Sequence, residues 1–290
     1  MKTYISTGGY RDVTASETVR ELSDFGLSAF ELSGGQPMQD RDVLNLLESD
    51  GLDLQIHNYF PPSDIPFVFN LASKDSLISQ KSMEHAKRAI KLARHTKDRI
   101  YSFHAGFLID PDPSNLGKPL ASSNVMKRQD GLDLFMERII ILSKFASDLD
   151  VQLLIENNVL SKANHQKFDG NPLLMTSFQE ALWIMERSPE NVNLLLDVAH
   201  LKVSAESLGE DPVDYFTSCE KWIKAYHLSD NEGEADTNEI VRESSWFWKY
   251  LRPEVWFCTL EVYGVAPENL IAQKKLVELK FEKIRKGRLE

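Results

Sequence analysis

Short apolar runs recur along the chain, and each stops at polar groups. The last four read VQLLIENN (residues 151–158), VNLLLDVAH (192–200), IKAYHLSD (223–230) and VWFCTLEVYG (255–264). Four earlier runs occupy residues 3–8, 29–33, 52–59 and 100–107. Continuous apolar runs with little alternation are what a parallel strand buried on both faces requires. Amphipathic helical stretches lie between them. Residues 73–95 carry Leu77, Met83, Ala86, Ile90 and Ala93 at helical spacing, and residues 126–147 carry Leu132, Phe135, Ile139, Ile140 and Phe145. Two capping boxes predict helix starts, Thr14 with Glu17 and Thr176 with Gln179, the second opening a helix over 176–187. In such a box two side chains satisfy orphan backbone N–H groups reciprocally. A last helix, over 267–286, has a basic end that suits the helix dipole.

Eight strand-plus-helix units in 290 residues predict one domain, residues 1–290, folded as an α/β (β/α)8 TIM barrel. An open doubly wound sheet would need a Gly-rich phosphate loop, and no G-x-G-x-x-G follows the first run. Three connections are longer than a barrel needs: 61–72, 108–124 (with Pro111, Pro113, Gly117 and Pro119) and 159–172 (with His165, Lys167 and Asp169). All three follow C-terminal strand ends, where barrel enzymes place substrate, so they read as lids.

In a closed barrel, strand ends meet around one mouth. The last four runs deliver Glu156, Asp197 with His200, His227 and Glu261 there. Carboxylates and imidazole converging on one point suit a divalent cation. Each residue also has a plainer reading. Glu156 fits a structural salt bridge, Asp197 a helix N-cap, and His227 a satisfied core histidine. His57 and His104 end runs three and four and face the same mouth, placed to bind substrate oxygens, a further metal, or a neighbouring side chain. Tyr10, Glu31 and Asn158 fit packing or loop roles as well as the site. Trp246, Trp248 and Trp256 fit core or an interface, and residues 244–251 are a candidate dimer surface.

Composition narrows the classes. The net charge of -11 opposes a nucleic-acid partner, because phosphate binding needs basic surface. No apolar run approaches the roughly 20 residues that span a membrane, and the start lacks the long apolar segment of a signal peptide. With two cysteines, Cys219 and Cys258, a cytoplasmic setting is the expectation.

The ordered set Glu156, Asp197-x-x-His200, His227 and Glu261, with the segment from His227 to Gly233 and with His104-Ala-Gly106, resembles the xylose-isomerase-like TIM barrel superfamily, in its sugar phosphate isomerase/epimerase branch. The resemblance implies one divalent cation, Mn2+ first, with Zn2+, Co2+ or Mg2+ as alternatives, held by Glu156, Asp197, His227 and Glu261. It implies Glu156 and Glu261 as an acid/base pair on opposite faces of a sugar carbon. It implies His57, His104, His200 and Asn158 toward a small sugar or sugar-like substrate, and a possible homodimer. The arginine such epimerases place after the seventh-strand histidine is absent from residues 230–238. The superfamily's metal-dependent endonucleases carry a D-x-H there; this chain has Asp236-Thr237-Asn238. A dehydratase on the same one-metal site and a non-catalytic sugar-binding barrel complete the alternatives.

Overall fold

The structure is a computed structural model that describes residues 1–115, 124–168 and 170–287. Gly117 and Pro119 of the second long connection, and Asp169 of the third, lie outside the described residues.

Eight strands close into a barrel in chain order, every neighbouring pair parallel. They are β1 (Lys2–Ser6), β2 (Ala29–Leu32), β3 (Asp53–His57), β4 (Ile100–His104), β5 (Gln152–Glu156), β6 (Val192–Asp197), β7 (Ile223–Leu228) and β8 (Phe257–Leu260). Around them run α1 (Ala15–Asp24), α2 (Asp40–Leu47), α3 (Ser76–Ala93), α4 (Arg128–Ser147), α5 (Lys162–Lys167), α6 (Phe178–Met185), α7 (Val198–Leu208), α8 (Pro212–Ser218) and α9 (Pro267–Arg285). The TIM barrel expected from the alternation is therefore the fold.

The barrel interior is layered. Tyr4, Ala29, Ile100, Leu154, Leu195, Ala225 and Phe257 form a dry plug. Two residues further along each of these strands, on the same face by the strand period, stand Ser6, Glu31, Ser102, Glu156, Asp197, His227 and Thr259, all buried. Registration sets them side by side, with Asp197 opposite His227 and His104 opposite Glu156. The plug denies water to this polar layer from below, so its groups face one another or the mouth.

The strands are shorter than the apolar runs. Asn58, at φ 38, turns the chain out of β3, and residues beyond it such as Phe60 are buried as loop instead. The Thr14–Glu17 capping box forms at α1. The Thr176–Gln179 box does not: α6 starts later, with Ser177 at its N-cap and no side-chain cap bond. The Thr176 hydroxyl accepts from the Asn171 amide instead, and Glu180 takes the Met175 N–H at 2.6 Å while pairing with Arg128 at 2.6 Å. Leu77 and Ile140, expected on inward faces, are 60% and 52% exposed; the buried stripes run through their neighbours instead.

Part of the candidate dimer surface at 244–251 is turned into the chain's own core, with Ser244 and Lys249 exposed. Phe247, Trp248 and Leu251 are buried, Trp248 donates its indole N–H to the Arg242 carbonyl at 2.7 Å, and Trp246 packs on Phe216 and Tyr250. Its aromatics seal the chain's own core.

The second half of the first long connection is packed as a wall, while residues 63–67 stay partly or fully exposed, Ile65 at 72%. Val68, Phe69, Asn70, Leu71 and Ala72 are buried. The Asn70 side chain accepts the Ala72 and Phe107 N–H groups at 2.9 Å each, and its amide faces the Phe107 and Ile109 carbonyls, both at 3.1 Å. One buried amide thus ties the loop after β3 to the loop after β4. Asn70→Ala strands two buried N–H donors, and is expected to cost about 3 kcal/mol, measured as a lowered denaturant midpoint with unchanged slope.

Candidate metal centre

Glu156 and Asp197 are the last residues of β5 and β6, His227 lies one residue before the end of β7, and Glu261 follows β8 directly. The Glu261 N–H still pairs with the Leu228 carbonyl at 3.1 Å, which extends the barrel's pairing to the glutamate itself. His227 Nδ1 stands 3.2 Å from Glu156 Oε1, 3.6 Å from Glu261 Oε2 and 3.8 Å from Asp197 Oδ2. One donor atom from each of the four lies within 4.8 Å of the others. Asp197 answers both of its sequence readings. Its Oδ1 caps α7 by accepting the His200 N–H at 2.7 Å, and its Oδ2, fully buried, has no hydrogen-bond partner.

A second group shares Glu156. Its Oε2 lies 3.3 Å from His57 Nε2 and 3.2 Å from His104 Nδ1, so the three form another cation-sized cluster. His57 is fixed from behind by Ser102 Oγ, 3.0 Å from its Nδ1. His200 sits beside both groups, with Nδ1 2.9 Å from the Asn157 carbonyl and 3.4 Å from Glu156 Oε1. Its Nε2 lies 3.3 Å from Asp236 Oδ2.

Glu31 and Asp236 carry more weight here than the sequence assigned them. Glu31 is fully buried, accepts the Thr259 hydroxyl at 3.1 Å, and places Oε1 2.9 Å from His227 Nε2. Its signal was a carboxylate inside the buried run at 29–33, at the inward parity of that strand. Asp236 arrives by a loop whose course no periodicity encodes. Asn238, where the D-x-H pattern would need histidine, is a turn residue at φ 49, and its carbonyl accepts the Tyr263 N–H. Asn158, expected toward substrate, instead points its amide at the carbonyls of Ala105, Gly106 and Leu174, at 2.9, 3.1 and 3.0 Å. It fastens the loop after β5 to that after β4. Tyr10 is half-buried, and its N–H closes a turn onto the Thr7 carbonyl.

The electrostatics show a site with too much negative charge for its burial. Burial pushes Glu261 up to about 8, with Glu156, Asp197 and Glu31 adding to the rise. Burial likewise takes Asp197 to about 6, helped by Glu156 and Asp236. Burial opposes charge on His227, but Glu31, Glu261 and Glu156 outweigh it and raise the imidazole well above its usual range. Burial drives His104 down to about 3. Buried atoms without a well-aligned hydrogen bond gather at this place: Asp197 Oδ2 and Asp236 Oδ1, and also Glu31 Oε1, His227 Nε2, Glu156 Oε2 and His104 Nδ1, which meet one another only as close charge contacts. Leaving such atoms unmatched is costly. A divalent cation meets the deficit in both charge and coordination, and mixed carboxylate and imidazole donors suit Mn2+ or Zn2+. The residues therefore fit a metal.

A sequence model of the xylose isomerase-like TIM barrel family matches residues 19–251, and the chain belongs to that family. Among solved structures it is similar to a D-tagatose 3-epimerase-like protein, at 15% identity and a TM-score of 0.73 over 100% of both chains. It is similar to the TTHB071 protein of Thermus thermophilus soaked with ZnCl2, at 18% identity and 0.64 over 95% of this chain and 98% of that one. It is also similar to endonuclease IV of the same organism, at 15% identity and 0.58 over 98% and 100%. At these identities the likeness establishes the shared fold. No curated protein matches the chain. No helix among the described residues is long and apolar enough to cross a membrane.

The shifts predict how the metal-free protein responds to pH. A group whose folded pKa is raised binds its proton more readily folded than unfolded, so the stability it lends is lost as pH rises through that pKa. Glu261, Asp197, His200 and His227 are all raised. His57 and His104 are lowered, and so are neutral in both states above the ordinary histidine value of 6.5. Between about pH 6.5 and 8 the net sign is therefore one of falling stability. The melting temperature of chelator-treated protein should drop across that window, and excess Mn2+ should abolish the drop. A flat or rising profile without metal would contradict this distribution of charge.

Proposed function

We propose that this chain is a divalent-metal-dependent enzyme that moves a proton next to a carbonyl in a small sugar or sugar-like molecule, as an isomerase or epimerase. The observation that carries the reading is the convergence of Glu156, Asp197, His227 and Glu261 at the floor of the barrel mouth. A cation held there would act as a Lewis acid on a carbonyl and so acidify the adjacent C–H. The epimerase names among the similar folds agree with this substrate class.

The two glutamates divide the work unequally. Both oxygens of Glu156 lie among the imidazoles of His57, His104, His200 and His227, and the side chain is fully buried. That surround favours a permanently charged ligand, and its pKa is held well below the usual range because those imidazoles outweigh burial. Glu261 stands nearer the mouth at 6% exposure, where it can meet a substrate carbon, and in the metal-free protein burial disposes it to hold a proton. Glu261 is thus the better proton carrier, and Glu156 the better metal ligand. Both ring nitrogens of His200 are engaged, Nδ1 at the Asn157 carbonyl and Nε2 at Asp236, so it would hold a substrate oxygen only by exchanging the Asp236 contact.

A second reading, metal-dependent phosphodiester hydrolysis, is favoured by the extra donor cluster of His57, His104 and Glu156. Paired metals clamp the attacking and leaving oxygens of such a displacement. The acidic net charge of -11 weighs against a nucleic-acid substrate.

Deuterium exchange tests the first reading. Mn2+-loaded protein is incubated in D2O with D-fructose, D-tagatose and L-ribulose, and the carbon next to the carbonyl is followed by NMR. Exchange should appear with one of these ketoses and fall by at least about 100-fold in Glu261→Gln. No exchange, together with cleavage of a chromogenic phosphodiester, would transfer the assignment to the second reading.

A further inference from the structure

Glu261 does not stand free at the rim. Its Oε1 accepts hydrogen bonds from Ser6 Oγ at 3.1 Å and from the Tyr263 hydroxyl at 3.2 Å. Ser6 is itself set in place. Its Oγ accepts the Gly8 N–H at 3.2 Å and lies 3.2 Å from Ser33 Oγ. The Tyr263 ring occupies a slot that two glycines keep open. A Cβ on Gly8 would fall 2.5 Å from the tyrosine hydroxyl oxygen, and one on Gly9 would fall 2.7 Å from ring Cδ1. The Tyr263 N–H is anchored to the Asn238 carbonyl at 3.1 Å. The ends of β1 and β8 thus converge on a single carboxylate oxygen, and the end of β2 backs Ser6 through Ser33. The other oxygen, Oε2, points toward His227 Nδ1 at 3.6 Å. Asp197 shows the same division, one oxygen given to the His200 N–H and the other left without a partner.

We propose that Ser6 and Tyr263 are positioning residues that restrict Glu261 to one-oxygen coordination, so that a cation held by Glu156, Asp197, His227 and Glu261 keeps open positions for two neighbouring substrate oxygens. A roughly octahedral ion with four protein donors has about two positions left. A carbonyl and its adjacent hydroxyl fill two, and a glutamate free to swing both oxygens onto the metal would take one of them. Hydroxyls that orient a ligating carboxylate are also a recognised means of tuning a metal site. This inference rests on the metal-dependent reading above and adds a role for residues outside the four ligands.

The test needs only the metal. Water-proton relaxivity of the Mn2+-loaded protein reports how many exchangeable waters sit on the ion, and titration followed by electron paramagnetic resonance gives its affinity. The wild type should bind Mn2+ with high relaxivity. The double variant Ser6→Ala with Tyr263→Phe should still bind Mn2+, with affinity changed by about 10-fold, while its relaxivity falls to roughly half as one of about two waters is displaced. Ser6→Thr, which keeps the hydroxyl, should retain wild-type relaxivity. A variant whose packing alone had changed would lose affinity without this spectroscopic change. If the double variant fails to fold, as judged by circular dichroism, Tyr263→Phe alone is read, since the phenyl ring keeps the glycine slot filled; a partial fall in relaxivity is then expected. Unchanged relaxivity with metal bound overturns the positioning role and leaves the metal-dependent reading standing. Absence of Mn2+ binding by the wild type overturns both.

Discussion

The constraint on which the structure depends is the burial of four carboxylates, Glu31, Glu156, Asp197 and Glu261, above a floor that admits no water. Each is at most 6% exposed. Charges in such a place are tolerated only when paired, hydrogen-bonded or bound to a metal. The chain provides the first two in part. His227 stands among all four, and hydroxyls from Ser6, Thr259 and Tyr263 reach two of them. What remains without a hydrogen bond, above all Asp197 Oδ2, lies within the group of donors that could hold a cation.

The rest of the fold is arranged to hold that place still. The apolar plug fixes the depth of the polar layer, and parallel pairing sets neighbouring donors at one level. Above them, Asn70 and Asn158 join the loops after β3, β4 and β5 through their amides, and Arg128 reaches the Leu173 carbonyl and Glu180 from α4. Side-chain amides suit this task because each offers donors and an acceptor in one rigid plane. The described walls of the mouth are thus built by buried hydrogen bonds, which favours a preformed site over one assembled by closing loops.

The barrel and the convergence of Glu156, Asp197, His227 and Glu261 were legible because both follow from strand periodicity. A charge ending a buried run is conspicuous, and the order of runs places the ends around one mouth. Glu31 obeyed the same rule at β2, but its run, residues 29–33, is short and gave less contrast. Other features lay beyond periodicity. Asp236 and Tyr263 come from connections whose paths depend on tertiary contacts, Asp236 reaching His200 and Tyr263 lodging against Gly8 and Gly9. The Thr176 capping box does not form because the Thr176 hydroxyl accepts from the Asn171 amide, and Glu180, held by Arg128 from a distant helix, turns to the Met175 N–H. The tryptophans of 244–251 showed the ambiguity of aromatic clusters, which read alike as surface or seal until their neighbours are known.

Glu156 is where the two functional readings meet. One of its oxygens faces the group with His227, Asp197 and Glu261, and the other faces His57 and His104. If the two imidazoles serve as donors to the carboxylate, Glu156 is a fixed anion supporting one metal, and chemistry next to a carbonyl follows. If they serve as ligands themselves, Glu156 bridges two metals, and hydrolytic chemistry becomes accessible. Burial drives His104 down to about 3, which favours the neutral ring that a metal ligand must be. A neutral His104 still donates through one nitrogen, however, and its Nδ1 lies 3.2 Å from the carboxylate. Between the two proposed readings, a count of ions at Glu156 would separate proton transfer from hydrolysis more directly than any property of the outer loops.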